Sequence, residues 1–261
     1  MRLAVVQTRP DFGDVTGNLR RAAAMIESEP ADLYVLPELA LSGYVFESRD
    51  EAASLAQSPD DAVFDGLVSL GRSLNASIVL GFAEIADEGL YNSSILLKPD
   101  GTRSVYRKVQ LFSGEKDVFE PGDRSPEVFT AAGARIGLMI CFDWIFPEVA
   151  RTLALAGAQV LCHSANLVLP YCQDAMVTRC IENRVFAATS NRAGREARAG
   201  TELHFTGMSE IVAPDGRILV RAGRDDEEIL VAEIDPSLAD DKSVTPKNDL
   251  FSDRRRDLYR L

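Results

Sequence analysis

The chain has 261 residues, and its 28 Lys and Arg against 40 Asp and Glu give a formal net charge of −12. Apolar residues make up 46% of the sequence and charged residues 26%, which is typical of a globular protein with a sizeable core. The acidic balance argues against nucleic acid or an anionic membrane as the main partner, because both select a basic surface. No apolar run approaches the roughly 18 residues of a membrane span, and the first run is too short for a signal peptide.

Cysteine and histidine are scarce, which limits the metal and redox chemistry that the sequence predicts. The histidines are far apart in the chain, and no C-x-x-C pair occurs among Cys141, Cys162, Cys172 and Cys180. A structural zinc site is therefore not predicted. Four cysteines in a chain of this length do not make a disulfide scaffold, so we expect a reducing, cytoplasmic environment.

Local patterns predict strands and helices in alternation. Short apolar runs predict buried strands at residues 3–6, 33–36, 77–82, 135–141, 160–163 and 185–189. Apolar residues at helical spacing predict helices at residues 16–27, 61–74, 147–156 and 173–182. Pro-Asp-Gly turns predict hairpins centred on residues 99–101 and 214–216. Since no linker interrupts this rhythm, we predict one α/β domain over residues 1–261, with residues 236–261 as a tail that packs on the body or on a partner.

Three residues lie where these patterns place reactive side chains. Cys141 ends a predicted strand before a turn into a helix, and backbone N–H groups from Phe142 onward are placed to line an oxyanion site. Glu38 lies between two apolar runs, which should desolvate its carboxylate and raise its pKa towards that of a useful base. Lys108 ends a predicted hairpin strand. Taken singly, each residue fits an ordinary role at least as well, as a small buried side chain, a helix-start acid or a surface charge.

The two histidines offer few options for a catalytic base. His163 lies inside an apolar strand pattern, which favours a core histidine over a catalytic one. His204 has no nucleophile beside it in the sequence, and no G-x-S-x-G motif, phosphate loop or dinucleotide fingerprint occurs. A hydrolase with this sequence is therefore expected to use a carboxylate as its base.

The glutamate, the lysine and the cysteine occur in order within three longer motifs. Glu38 follows Leu-Pro, Lys108 lies in Y-R-K-V-Q-L-F, and Cys141 lies in G-L-M-I-C-F-D-W-I-F-P-E. This ordered set resembles the nitrilase (carbon–nitrogen hydrolase) superfamily. Further similarities extend over nearly the whole chain, at residues 41–44, 119–122, 165–171, 179–183 and 214–216.

The resemblance implies a four-layer α-β-β-α sandwich that pairs through its cysteine-bearing side into a homodimer or larger homo-oligomer. It also implies covalent catalysis with no metal or organic cofactor. Carried over by position, Cys141 is the nucleophile, Glu38 is its general base, and Lys108 stabilises the oxyanion together with the N–H of Phe142. Glu115 matches the family's second glutamate, which orients the substrate and the lysine, although a solvated loop acid is the alternative.

Two departures from common family patterns bear on the substrate. Gln110 stands where many amidase branches have histidine, and Phe142-Asp143 follows the nucleophile where the branch devoted to nitriles has Trp-Glu. The second departure favours an amidase acting on small aliphatic amides, with a nitrilase acting on small aliphatic nitriles as the close alternative. A binding protein that has lost catalysis is a further alternative, whereas a redox sensor lacks a resolving cysteine at a usual spacing. The pocket walls are expected to include Tyr44, Phe112, Trp144, Asn166 and Tyr171, and each aromatic among them suits core packing at least as well.

Overall fold

Two six-stranded sheets form the centre of the structure, a computed structural model that describes residues 1–87 and 89–258. In spatial order, the first sheet contains β14 (Glu228–Glu233), β1 (Arg2–Gln7), β2 (Leu33–Val35), β3 (Ser77–Ala86), β4 (Gly89–Leu97) and β5 (Arg103–Arg107). The second contains β13 (Ile218–Arg221), β12 (Glu210–Val212), β9 (Phe186–Asn191), β8 (Val160–Ala165), β7 (Ala134–Ile140) and β6 (Val128–Ala131). In each sheet three central strands are parallel, and the outer strands pair antiparallel.

Six α-helices and two small hairpins complete the described part of the chain. The helices are α1 (Val15–Ser28), α2 (Arg49–Ser54), α3 (Asp65–Leu74), α4 (Glu115–Val118), α5 (Pro147–Leu155) and α6 (Cys172–Asn183). The hairpins pair β10 (Arg195–Arg198) with β11 (Thr201–His204) and β15 (Ser243–Thr245) with β16 (Asn248–Asp249). Short 3₁₀ turns lie at Ala62–Phe64, Cys141–Ile145 and Pro236–Ala239.

Alternation along the strands produces the layers. On β1, Leu3 and Val5 face the second sheet, while Ala4 and Val6 pack towards α1 and α3. The apolar stripes of α5 and α6 cover the other face of the second sheet. Each fully buried aliphatic side chain in such a core contributes about 1.5–3 kcal/mol to stability. The predicted four-layer α-β-β-α sandwich is confirmed.

The local predictions hold to within a few residues at the ends of the elements, and two differences have a clear physical reason. The strand predicted to end at Cys141 ends at Ile140, because Cys141 already begins a 3₁₀ turn. The helix predicted over residues 61–74 is divided, since the Asp61 carboxylate accepts the N–H of Val63 and caps a separate 3₁₀ turn before α3. Both Pro-Asp-Gly turns connect hairpin strands, β4 to β5 and β12 to β13.

The predicted tail makes contacts with the body of the protein over its described part, and its residues 259–261 lie outside the described residues. Lys242 Nζ donates to the carbonyl oxygens of Asn183 and Arg184, at 3.0 and 2.9 Å, where α6 ends. A cation at a helix C-terminus satisfies the last carbonyls and complements the helix dipole. Arg184 in turn donates from Nε to the carbonyl of Asp241, so the tail is joined to α6 in both directions.

Strand direction brings the three motifs to one edge of the sandwich. Because β3 is parallel to β2, and β4 and β5 each reverse direction, β5 runs parallel to β2. The residues that follow β2 and β5 therefore lie at the same edge, and these are Glu38 and Lys108. Asn166, which follows β8, donates from Nδ2 to the carbonyl of Glu38 at 2.8 Å, so the second sheet presents its carboxyl ends at this edge as well.

Candidate active site

A close approach of two backbones holds Glu38 in place. The N–H of Gly81 on β3 donates to the carbonyl of Pro37, and the carbonyl of Gly81 accepts the N–H of Ala40, both at 2.9 Å. A Cβ on Gly81 would lie 2.4 Å from the Glu38 Cα, so only glycine fits this position without a shift. The loop after β2 is thereby fixed against the sheet, and the Glu38 side chain is fully buried.

The ammonium group of Lys108 lies between two carboxylates. Its Nζ is 2.7 Å from Oε1 of Glu38 and 2.8 Å from each carboxylate oxygen of Glu115. Lys108 and Glu38 are fully buried, and Glu115 is nearly so. The side chain of Asn92 on β4 donates from Nδ2 to the same Glu38 oxygen at 2.7 Å. The backbone carbonyl of Asn92 accepts the backbone N–H of Lys108 at 2.9 Å. A buried cation shared in this way is held in one position by hydrogen bonds as well as by charge.

Glu115 is the first residue of the short helix α4, and its carboxylate is held from two further sides. The hydroxyl of Tyr44 donates to Oε1 at 2.6 Å, and the N–H of Phe112 donates to Oε2 at 3.0 Å. Tyr44 is itself positioned by Glu196, whose carboxylate accepts its backbone N–H at 3.1 Å. The structure therefore brings Tyr44, Phe112 and Glu115 together around Lys108.

Cys141 has a φ angle of +37°, in the left-handed region that a residue with a side chain rarely adopts. Such a conformation costs about 1–3 kcal/mol and persists only where the surroundings hold it. The preceding N–H, of Ile140, donates to Oδ2 of Asp143 at 2.9 Å, and the hydroxyl of Tyr106 donates to the same oxygen at 2.8 Å. The carbonyl oxygen of Cys141 lies 3.0 Å from Nε2 of His163.

Burial and neighbouring charges determine which groups at this site are protonated. It raises the pKa of Glu38 to about 7 against the opposing effect of Lys108, which makes this carboxyl a base poised near neutrality. Burial and the nearby Glu38 charge raise the pKa of the Cys141 thiol well above its usual value. Burial acts to lower the pKa of Lys108, but Glu115 and Glu38 outweigh it and raise that pKa. At neutral pH the site therefore holds a thiol, an ammonium and a carboxylate able to take a proton.

A cavity of about 10 Å³ is lined by Cys141. Its walls include Phe142 and three predicted pocket residues, namely Phe112, Trp144 and Asn166. The rings of Phe112 and Phe142 lie 5.0 Å apart and narrow the opening. A larger cavity of about 210 Å³ lies beyond Phe112 and is bordered by Tyr44. Tyr171, by contrast, lies at the start of α6 with 65% of its surface exposed.

Sequence reasoning did not single out several residues that organise this site. Asn92, Tyr106, Asp143 and Glu196 all make hydrogen bonds to its members. Asn92 carries a detectable signal, because an amide in the middle of a fully buried strand must find polar partners. His163 lies in the core, as the sequence predicts, but the sequence does not reveal its contact with the Cys141 carbonyl.

The described residues contain neither a metal-binding cluster nor a membrane-spanning helix. Among residues 1–87 and 89–258, no cluster of three His, Cys, Asp or Glu side chains is arranged to hold a metal ion. The described helices include none with the length and apolar character needed to cross a bilayer.

Comparison with known proteins extends the agreement over the chain. The sequence pattern of the Carbon-nitrogen hydrolase family matches residues 2–242. A protein named nitrilase from Pyrococcus abyssi is 42% identical, with 99% of each chain covered. An (R)-stereoselective amidase from Pseudomonas sp. is 37% identical, covering 98% of this chain and 92% of the relative. A mutant of the Nesterenkonia AN1 amidase superposes with a TM-score of 0.83 at 28% identity, covering 99% of this chain and 95% of the other. A further structure of that amidase is a complex with acrylamide.

Proposed function

The chain belongs to the carbon–nitrogen hydrolase family, and from this premise we propose that it hydrolyses small aliphatic amides to a carboxylic acid and ammonia. The observation that carries the proposal is the buried Lys108, held between Glu38 and Glu115 and close enough to the Cys141 thiol to interact with its charge. A buried cation with two acidic partners and an adjacent thiol supplies a base, an oxyanion donor and a nucleophile without histidine.

The acylation step begins with transfer of the Cys141 thiol proton to Glu38. Oε2 of Glu38 is buried and has no hydrogen-bond partner among the described residues, so it is the oxygen available to receive that proton. Sulfur attacks the amide carbonyl carbon, and the oxygen becomes an oxyanion stabilised by Lys108 and the N–H of Phe142. The C–N bond then breaks, Glu38 returns its proton to the leaving nitrogen, ammonia departs, and a thioester remains on Cys141.

The same carboxylate serves the second half of the reaction. A water molecule entering after ammonia leaves gives its proton to Glu38 and attacks the thioester carbon. The C–S bond breaks, the carboxylic acid is released, and the Cys141 sulfur recovers the proton from Glu38. A pKa near 7 suits this double role, because the carboxyl must both accept and donate a proton at each turnover.

The aromatic walls of the cavity at Cys141 and one unpaired oxygen support a small primary amide as substrate. Oδ1 of Asn166 is buried without a partner in the described part of the chain, and Asn166 borders the cavity at Cys141. This acceptor is suited to an N–H of the substrate amide, because an unsatisfied buried oxygen favours a ligand that donates to it. The aromatic side chains that border the same cavity, Phe112, Phe142 and Trp144, support a compact apolar acyl group.

A nitrilase is the second candidate, and the 42% identity to a protein of that name favours it. In this case Cys141 adds to the nitrile carbon to give a thioimidate, with the thiol proton reaching the nitrogen through Glu38. One water then releases ammonia to leave the same thioester, and a second water releases the acid. The amide and nitrile routes thus converge on one intermediate.

Matched panels of short amides and nitriles, with ammonia release measured for each, test the function. We expect faster release from amides and complete loss in Cys141→Ala, with a mass increase equal to the acyl group on intact wild-type protein. Cys162→Ala is the matched control, because Cys162 is also a buried free thiol but lies within β8. Ammonia release that survives Cys141→Ala would refute the mechanism, and release from nitriles alone would establish the second candidate.

Assembly and location belong to the same proposal. The side that carries the cysteine turn, α5 and α6 exposes several large apolar or aromatic side chains. The exposed fractions are 41% for Ile145, 41% for Leu155, 49% for Ile181 and 65% for Tyr171. Exposed apolar residues on one face support pairing with a second copy of the chain. Analytical ultracentrifugation tests the dimer, which a purely monomeric profile at micromolar concentration would exclude.

The proposed location follows from the cysteines. All four are free thiols, which supports a reducing, cytoplasmic compartment.

A further inference from the structure

The carbonyl of Cys141 and the N–H of Phe142 belong to one peptide group. A trans peptide is planar, so its C=O and N–H point in opposite directions and cannot turn independently. His163 lies on the carbonyl side of this peptide, with Nε2 3.0 Å from the oxygen, and its ring is fully buried. A contact that fixes the carbonyl therefore also fixes the direction of the Phe142 N–H.

The hydrogen-bond partners determine which ring nitrogen carries the proton. A carbonyl oxygen only accepts, so Nε2 of His163 must hold the proton in order to bond to Cys141. Nδ1 is then an acceptor, and the Thr189 hydroxyl, 3.2 Å away, is its donor. Burial lowers the pKa of His163 to about 4, so the ring is neutral at pH 7 and has a single N–H to give.

We propose that His163 is a positioning residue. Its hydrogen bond to the Cys141 carbonyl, on the opposite side of the peptide, orients the Phe142 N–H towards the substrate oxyanion. The inference rests on the proposed function, since it assigns to that peptide the role of oxyanion donor. The hydrogen bond at the carbonyl also polarises the peptide and strengthens its N–H as a donor. Thr189 acts one step further away, because it keeps the His163 proton on Nε2.

The strained conformation of the cysteine turn needs a contact that holds this peptide in place. Cys141 is held at a φ of +37°, and rotation of the peptide towards a relaxed conformation would turn the Phe142 N–H away from the site. On the other side of Cys141, the Ile140 N–H is fixed by the Asp143 carboxylate. The two contacts hold the backbone on both sides of the nucleophile, and the His163 contact acts directly on the peptide that carries the donor.

Two reactions of the same sulfur separate this role from a general effect on Cys141. Amide hydrolysis builds an oxyanion, whereas alkylation by iodoacetamide displaces iodide and builds none. We expect His163→Leu to lower kcat for propionamide about 10- to 100-fold, below the full effect of deleting a donor. We expect KM and the alkylation rate constant to change by less than about threefold, because ground-state binding and the thiol remain intact.

Conservative variants complete the test. His163→Gln keeps a donor near the Nε2 position and should recover most of kcat. Thr189→Val leaves the neutral ring free to place its proton on Nδ1, so kcat should fall to an intermediate value. Cys162→Ala removes a neighbouring buried side chain of β8 that lies outside the site, and it should lower thermal stability with kcat unchanged.

Each outcome decides the inference. A folded His163→Leu protein with kcat within about threefold of wild type overturns it, as does an alkylation rate that falls in parallel with kcat. If His163→Leu does not fold, an unchanged kcat in Thr189→Val overturns it instead. A different result would refute the proposed function itself, namely that the wild-type protein shows no Cys141-dependent amide hydrolysis.

Discussion

The hydroxyl of Tyr106 on β5 lies 2.8 Å from Oδ2 of Asp143, and this bond joins the first sheet to the turn that carries the nucleophile of the second. Both groups are buried, and the same carboxylate oxygen accepts the N–H of Ile140. Burial raises the pKa of Asp143 to about 6, with the Ile140 N–H opposing that effect. Since Lys108 follows β5 by one residue, the bond also ties the lysine to the cysteine turn.

We predict that Tyr106→Phe lowers the free energy of unfolding by about 1–3 kcal/mol, because a hydrogen bond to a buried carboxylate is lost. A double-mutant cycle with Asp143→Asn, measured by urea denaturation, should give a coupling energy of at least about 0.5 kcal/mol. Tyr171→Phe, at an exposed tyrosine, is the control and should change stability by less than about 0.5 kcal/mol. Additive effects of the two buried substitutions would show that the bond contributes nothing.

The pH dependence of hydrolysis should follow Glu38. Below its pKa of about 7 the carboxyl already holds a proton and cannot accept the one on Cys141, so kcat/KM should rise with pH and level off above neutrality. The raised pKa of Lys108 keeps the ammonium charged, so we expect no fall from lysine deprotonation up to about pH 9. Initial rates from about pH 5 to 9 check the profile. Glu38→Gln should abolish the activity, whereas Glu148→Gln, at an exposed acid, should leave the profile intact.

Replacing Lys108 should remove both a catalytic charge and the partner of two buried carboxylates. Lys108→Met is expected to lower kcat by about 10²–10³-fold through loss of oxyanion stabilisation. It should also destabilise the fold by about 3–5 kcal/mol, because Glu38 and Glu115 are left as adjacent buried acids. Amide kinetics and chemical denaturation measure the two effects, with the exposed Lys116→Met as control. Wild-type kinetics in folded Lys108→Met protein would exclude the assigned role.

Tyr44 offers a milder change at the same cluster. Tyr44→Phe deletes only the hydroxyl that donates to Glu115 at 2.6 Å, so the carboxylate becomes less well oriented while the ring contact with Phe205 is kept. We expect kcat to fall about tenfold, which corresponds to about 1.4 kcal/mol, the usual size of one such bond. Steady-state kinetics on the preferred amide checks this. A change confined to KM would instead place Tyr44 in substrate binding alone.

The predictability of the structure from sequence depends on how local each interaction is. The layers can be predicted because alternation in strands such as β1 is visible within a few residues, and the reactive Glu38, Lys108 and Cys141 lie in ordered motifs. Contacts such as Glu196 with the backbone of Tyr44 join residues 152 positions apart. They arise only when the β10–β11 hairpin folds against the loop after β2, and no local pattern records that geometry.

Gly81 provides the last prediction, because its effect on the site is purely steric. A Cβ there would lie 2.4 Å from the Cα of Glu38 and 2.7 Å from the N of Leu39, both backbone atoms that cannot rotate away. Gly81→Ala should therefore displace the Glu38 loop, lower thermal stability and reduce hydrolysis by about 10²-fold, since a misplacement of about 1 Å at a catalytic group can cost that factor. Gly66→Ala is the matched control, because Gly66 lies in α3 with open space around it, and alanine there should stabilise the helix by about 0.5–1 kcal/mol without changing kcat. A Gly81→Ala protein with wild-type kcat would show that the loop tolerates the shift, and the close approach would then have no part in placing the base.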